Sequence, residues 1–404
     1  MKYYIIIYVI FVVMISLFSC TSKGDGDDSD DDNTDDDNDD SVDDDSADDD
    51  DYLPEINENW FYKIIDNKVE DLSLSLDSAN IDHLFYYGPF REDVNDILFY
   101  ASNIDDWQVK QALVDINLII CVSSYLASAV SSNEELHILY AIENEIQPTY
   151  ELYHSVFVEN DLITTRISDT IDHLLGLSMA IDEGNNVHIS YYDGPENNRN
   201  LIYVNNSSGS WQSEVVDLEV GKNSLSQQSI VKVQNDIIYL SYIRSGNDYY
   251  DNELVLAKHN ESEWEKIVIA DDIGSHSMDV DDAENVYVIS YNFASTSVET
   301  ISYISNSTGE WKSEIVADEY ISSPLSLVVD SNSNVHFLHS GMDIWESKVK
   351  TMYVNNTSGE WVSEEIMPDY PQIISMAIDG DDKIHVAMNA GSYLVHLTRE
   401  IEAE

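Results

Sequence analysis

Five histidines share one place in a recurring pattern. His83, His137, His188, His336 and His385 each follow an Asp or Ser by six residues, namely Asp77, Ser131, Asp182, Asp330 and Asp379. Imidazole beside carboxylate can move protons or hold a metal, so the spacing raises both chemistries. Tyr239 and Tyr287 fill the same place in two further copies, and a phenol there argues for a hydrogen-bonding role. Copies arrayed about an axis are kept apart by its symmetry, so they cannot converge on one ion with bonds of about 2 Å. No metal ligand set is therefore assigned from this pattern. A second group is made of scarce side chains. Three of the five arginines, Arg91, Arg199 and Arg244, fall in or beside irregular segments that also hold Tyr192, Asp193, Tyr249, Tyr250, His339 and Trp345. Guanidinium groups and aromatic rings together suit a glycan or a peptide, through paired hydrogen bonds and stacking.

The elements that must position these residues follow from the same pattern. A Ser is followed by Asp after four residues and by His or Tyr after six more in Ser73-Asp77-His83, Ser178-Asp182-His188, Ser277-Asp281-Tyr287, Ser326-Asp330-His336 and Ser375-Asp379-His385. Two copies are degraded, Ala127-Ser131-His137 and Ser229-Val233-Tyr239. The Asp positions are spaced by 54, 51, 51, 48, 49 and 49 residues. Trp107, Leu162, Trp211, Trp264, Trp311 and Trp361 recur 29 to 31 residues after them, usually opening a Trp-x-x-Glu-apolar run. Within one copy, 178–181, 187–192, 201–204 and 211–216 read as four short strands separated by Asp, Asn and Gly turns. Seven such units predict an all-β, seven-bladed β-propeller with four antiparallel strands per blade. The unit from Ser375 holds only three strands, whereas residues 57–66 read as a strand standing before the first unit. That segment is expected to pair with residues 394–398 and close the ring without a free sheet edge. The connections between second and third strands then emerge on one face. Functional side chains are expected there, in loops spanning 88–96, 193–200, 244–252, 292–299 and 340–350.

The remainder of the chain reads as an address and a spacer. Lys2 precedes a 16-residue apolar run, Tyr3 to Phe18, which is short for a membrane span and has the form of a secretory signal. An uncleaved anchor is the alternative. From Asp25 to Asp51, 18 of 27 residues are Asp, a composition that repels itself and cannot build a core. The organisation expected is a signal at 1–19, a linker at 20–51 and the propeller at 52–404. The chain carries 78 acidic against 18 basic residues, a charge of −60, which excludes nucleic acid as a partner. Two cysteines, Cys20 and Cys121, leave no disulfide framework. Asp-rich hairpins such as 281–285 and 379–382 suggest calcium, but they lack the twelve-residue spacing to a bidentate Glu, and turn chemistry explains them. No cofactor is expected. The tripeptides at Asn206, Asn306 and Asn356 match glycosylation acceptors and are read as turns.

The stretches 326–336, 187–193, 203–211 and 353–361 resemble a repeat of exported bacterial propeller lipoproteins, loosely grouped as sialidase-like. Leu17-Phe18-Ser19-Cys20 resembles a lipobox, which implies lipidation of Cys20 and attachment of an exported protein to a bacterial membrane, by the lipid alone. A literal sialidase resemblance implies three arginines on a sugar carboxylate beside a Tyr nucleophile, but no Arg-Ile-Pro motif occurs. The expectation is thus a monomeric cell-surface binding module for a glycan or protein at the loop face, through Arg91, Tyr192, Asp193, Arg199, Arg244, Tyr249, His339 and Trp345. The alternative is a carbohydrate-active enzyme, a hydrolase or lyase, at the same face. No residue is assigned as catalytic.

Overall fold

The computed structural model describes residues 53–401, apart from residue 68 and the stretches 92–93, 108–109, 116–125, 144–148, 159–160, 196–197, 222–227, 247–251, 261–262, 293–298, 318–319, 344–347 and 370. Cys20, the Asp-rich tract, Cys121, Tyr249, Tyr250 and Trp345 lie outside the described residues, and only the backbone of Arg91 is described.

The first strand, β1 (Phe61–Asn67), belongs to the last sheet. Blade 1 follows with β2 (Asp71–Leu76), β3 (Asp82–Arg91), β4 (Val94–Ser102) and β5 (Lys110–Asp115). Blade 2 is β6 (Leu126–Val130), β7 (Leu136–Glu143), β8 (Thr149–Val158) and β9 (Asp161–Asp172). Blade 3 is β10 (Leu175–Ile181), β11 (Val187–Asp193), β12 (Arg199–Asn205) and β13 (Gln212–Gly221). Blade 4 is β14 (Ser229–Gln234), β15 (Ile237–Ser245), β16 (Asn252–Asn260) and β17 (Glu263–Asp271). Blade 5 is β18 (Ile273–Val280), β19 (Val286–Asn292), β20 (Thr300–Ser305) and β21 (Lys312–Ala317). Blade 6 is β22 (Tyr320–Val329), β23 (Val335–Asp343), β24 (Lys348–Asn355) and β25 (Val362–Met367). Blade 7 is β26 (Ile374–Ile378), β27 (Ile384–Ala390) and β28 (Tyr393–Arg399), with β1 as its outer strand. The expected seven blades of four antiparallel strands are all present, and β1 pairs with β28 from Phe61 opposite Thr398 to Asn67 opposite Tyr393.

Second strands read as unbroken apolar and aromatic runs because blades pack face to face and bury both of their sides. In β11 every residue from Val187 to Tyr192 is buried, while the outer strand β21 is largely exposed. The recurring Ser ties neighbouring blades at the inner strands. Ser73 Oγ accepts from Ser128 N (2.8 Å), Ser178 Oγ from Val231 N (3.1 Å), and Ser277 Oγ from Leu327 N (3.1 Å). Ser326 Oγ accepts from Met376 N and Ser375 Oγ from Leu74 N, each at 3.2 Å. Backbone N–H groups that no strand partner takes are satisfied in this way.

The recurring Trp does the same at the rim. Trp264 Nε1 donates to Glu214, Trp361 Nε1 to Glu314 and Trp60 Nε1 to Glu364, so the Glu of one blade's Trp-x-x-Glu run holds the next blade's Trp. Each ring also meets the preceding blade's third strand edge-on, as Trp264 does with Tyr203 (5.2 Å) and Trp60 with Tyr353 (5.2 Å). Trp60 and Trp107 are buried, but Trp211, Trp264, Trp311 and Trp361 are half-buried because the rim meets solvent.

The strands run further toward the loop face than their turn signals suggest. Asp193 ends β11, Arg199 opens β12, Arg244 lies inside β15 and Arg91 ends β3. These arginines therefore stand on strand ends rather than in loops, because Asp193 opposite Asn200 and Arg244 opposite Glu253 extend the ladders.

Trp60 seals the closure by meeting Tyr353 edge-on, donating to Glu364 and lying 5.6 Å beneath Arg399. Replacing Trp60 with Ala is expected to cost about 3–5 kcal/mol of stability, read from urea unfolding. A loss near zero would show that ring closure does not rest on this contact.

Candidate functional site

In blades 1, 3 and 6 the histidine pattern resolves into a chain of hydrogen bonds inside the blade. His188 Nδ1 meets the Tyr203 hydroxyl at 2.6 Å and its Nε2 meets Asp182 Oδ2 at 3.2 Å. His336 repeats this with Tyr353 (2.6 Å) and Asp330 (3.4 Å), and His83 with Tyr100 (2.8 Å) and Asp77 (3.3 Å). Tyr287 donates directly to Asp281 at 2.9 Å. Burial lowers the His83 and His188 imidazoles, although Asp77 and Asp182 pull the other way. A neutral ring must then donate through Nε2 to the carboxylate and accept from the phenol through Nδ1. Burial also raises the Tyr203 and Tyr353 phenols, which makes them poor proton donors.

The Asp at the end of each chain also caps its hairpin. Asp182 Oδ1 accepts from Asn186 N (2.7 Å), Asp330 Oδ1 from Asn334 N (2.7 Å) and Asp379 Oδ1 from Lys383 N (2.8 Å). The array locks turns, in keeping with the structural reading of its sequence. Asn206, Asn306 and Asn356 likewise spend their side-chain oxygens on Val187, Val286 and Val335 N–H groups, each at 2.7 Å.

Blade 2 departs from the array: Ser131 replaces Asp, and His137 Nδ1 meets His154 Nε2 at 2.9 Å.

The opposite face is built differently. Arg244 Nε and Nη2 reach Glu253 Oε2 at 2.7 and 2.6 Å, and Nη1 lies 3.6 Å from Asp217. Asp217 also accepts from the Tyr242 hydroxyl (2.6 Å) and lies 3.5 Å from Lys266. Burial opposes the Arg244 charge, but Glu253 and Asp217 outweigh it and raise its pKa. Its partners sit on the outer strand of blade 3 and the third strand of blade 4, so the group occupies the wall between these blades. The side chain is 36% exposed, which leaves the guanidinium fixed yet reachable.

Other residues expected at the face lie deeper. The Tyr192 hydroxyl is buried, accepting from Ile243 N (3.0 Å) and donating to Ile243 O (2.9 Å), so it knits blade 3 to blade 4. Arg199 and His339 are also buried, the latter in blade 6. Asp193 is half-buried and accepts from Asp172 N (2.8 Å); burial raises its carboxyl despite that bond.

Sequence reasoning passed over His276, which lies fully buried in β18 with Nε2 at 2.8 Å from Ser241 Oγ. It stands on an inner strand outside the repeated His position, and its sequence neighbours gave no signal. It also passed over Asp82 and His396, which break the repeat and could have been found by that break.

No family model matches the chain, and no curated protein does. Solved structures match through the fold. An ulvan lyase bound to a GlcA(1-4)Rha3S unit is 11% identical with a TM-score of 0.56, over 84% of this chain and 97% of that one. An oligogalacturonate lyase from Vibrio parahaemolyticus is 12% identical with a TM-score of 0.54, over 87% and 99%. The β-propeller domain of the trilobed protease from Pyrococcus furiosus, described as having an open velcro topology, is 10% identical with a TM-score of 0.51, over 85% and 96%. At such identity these likenesses establish a propeller and nothing about chemistry.

Burial lowers His276 to about 4, with the bond to Ser241 opposing only in part. The unfolded chain takes up that proton near pH 6.5 and the folded chain does not, so stability falls as pH drops from about 6.5 to 4. Urea midpoints at pH 7 and 4.5 should differ less in His276→Gln than in the parent, because roughly 2 kcal/mol of linkage over that range is removed. An equal difference in both proteins would refute this assignment.

Proposed function

We propose that the protein is a binding module whose loop face takes a neutral glycan or a protein segment, with Arg244 as a fixed contact. The observation that carries this reading is the contrast between the faces. Hairpins on one face consume their own Asp and Asn side chains in turn bonds, whereas Arg244 on the other is held by two carboxylates and still exposed. A preorganised guanidinium loses little freedom on binding, which favours recognition. Arg91 and Asp193 stand at strand ends of the same face and would add to the site.

Charge selects the ligand class. Residues 52–404 hold 60 acidic and 16 basic residues, a charge of −44, which repels polyanionic sugars. Uronate polymers such as those named for the lyases above are therefore disfavoured. The signal-like run and Cys20 support presentation outside a bacterial membrane on a lipid, with the Asp-rich tract as spacer and the propeller as a monomer.

A second reading, a carbohydrate-active enzyme at the same face, draws support from one observation. Arg91, Arg199 and Arg244 stand on strands, which gives the rigidity a catalytic cluster needs. The propeller shared with polysaccharide lyases is compatible with it.

The two readings part on a glycan panel. Retention of a neutral glycan by the purified chain without release of new sugar ends supports the binding module, and turnover supports the enzyme. Arg244→Ala is expected to weaken retention at least tenfold, about 1.4 kcal/mol, at an unchanged Tm. Undiminished retention by the variant would remove the site from this face of blades 3 and 4.

A further inference from the structure

Three buried atoms between blades 7 and 1 have no hydrogen-bond partner: Asp82 Oδ1, His385 Nδ1 and His396 Nε2. His385 Nδ1 lies 2.8 Å from Asp82 Oδ1, and His396 Nε2 lies 3.3 Å from Asp82 Oδ2, off line for an N–H donor. One donor atom from each residue falls within 4.8 Å of the others. Asp82 is 0% exposed, His385 4% and His396 5%, so water does not solvate the group.

Two of the three residues break the repeat. Asp82 occupies the place that Leu136, Val187, Ile238, Val286, Val335 and Ile384 hold in the other blades, all of them buried and apolar. His396 stands two residues before Thr398, the partner of His385, where blades 1, 3 and 6 carry Tyr100, Tyr203 and Tyr353 and blade 2 carries His154. Both departures meet at one seam. The first of these places is aliphatic in every other blade and the second is Tyr in four of them, His154 in blade 2 and Leu256 in blade 4, so Asp and His come together only at this seam.

We propose that Asp82, His385 and His396 form a structural zinc site that fastens the last blade to the first. Tetrahedral zinc with bonds of about 2.1 Å spaces its donor atoms by roughly 3.4 Å, and the two imidazole–carboxylate separations of 2.8 and 3.3 Å lie near that spacing. Imidazole and carboxylate donors suit zinc among common divalent ions. The outer groups are those such a site needs. His385 Nε2 meets Asp379 Oδ2 at 3.2 Å, which fixes the proton there and leaves Nδ1 free for the metal. Asn103 Nδ2 donates to Asp82 Oδ2 and its Oδ1 accepts from Asp82 N, which orients the carboxylate. The Trp107 ring, 4.9 Å from that of His396, covers the remaining side. Two carboxylates, Asp82 and Asp379, balance the dication. Full burial leaves no room for a substrate and assigns the ion to structure.

The competing occupant is protons on the imidazoles. The two are distinguished by metal content and by variants that restore the repeat, Asp82→Val and His396→Tyr. The purified full chain, loaded with zinc and passed over a chelating resin, is expected to keep one zinc per molecule, and each variant none. EDTA should lower the Tm of the parent by about 4 °C, for an ion present at one hundred times its dissociation constant, and leave the variants unmoved. Zinc retained equally by parent and both variants would assign it to the acidic surface and overturn the site. A parent that keeps no zinc and shows no EDTA response would overturn it in favour of protons.

Discussion

The ring depends on one antiparallel pairing, that of β1 with β28. Without it β28, which is largely buried, becomes the outer strand of a three-stranded sheet, exposing its apolar face and an edge open to foreign strands. The consequence reaches past one sheet, because every blade leans on its neighbours. The Ser ties at the inner strands and the Trp–Glu ties at the rim each join one blade to the next. Bonds of this kind contribute about 1 kcal/mol each, so no single one holds the ring. They act together only when the last blade reaches the first, and β1 is what completes that blade.

Closure also divides the molecule into two unequal faces. On one, Asp, His and Tyr side chains satisfy one another and the hairpin backbone, which leaves few spare donors. On the other, strand ends carry Arg244, Glu253 and Asp193, and ladders run out to meet them. A face whose polar groups are already satisfied gains little from a ligand, since each new bond must replace an old one. Recognition is therefore better served by the side where a fixed guanidinium remains exposed. The depth of Tyr192 makes the same point in reverse: its hydroxyl binds both backbone groups of Ile243 and has become part of the wall.

The frame was legible because it repeats. A period near fifty, an alternation of turn residues with apolar runs, and a displaced Trp-bearing strand gave blade number, strand number and closure. Strand ends were less legible, since Asp193 and Arg199 look like loop residues and are held in strand only by pairing across the ladder. The candidate site was the least legible. Burial of Tyr192, Arg199 and His339 depends on how blades face each other, which composition does not encode, and a chain that repeats its core does not repeat its site. The exceptions to the pattern were informative instead. A buried Asp at position 82 among six aliphatic counterparts is a local rule broken, and such breaks mark function or strain.

The acid surplus makes that break sharper. Most acidic residues cost the fold little because they are exposed or cap turns, and the buried carboxylates can be sorted by what compensates them. Asp71 accepts from Leu72 N, and Asp330 from the Asn332 and Asn334 N–H groups, from Asn334 Nδ2 and from His336. These are fixed dipoles supplied by the fold itself. Asp82 has such help at Oδ2 from Asn103 alone, while the His385 imidazole faces Oδ1 and the His396 imidazole faces Oδ2, neither in line to donate. A carboxylate so placed requires a cation, because an unpaired buried charge would cost several kcal/mol. The fold brings two imidazole nitrogens to that carboxylate from two strands of the last blade. Selection for packing alone would have placed a valine there, as it did in blades 3, 5 and 6.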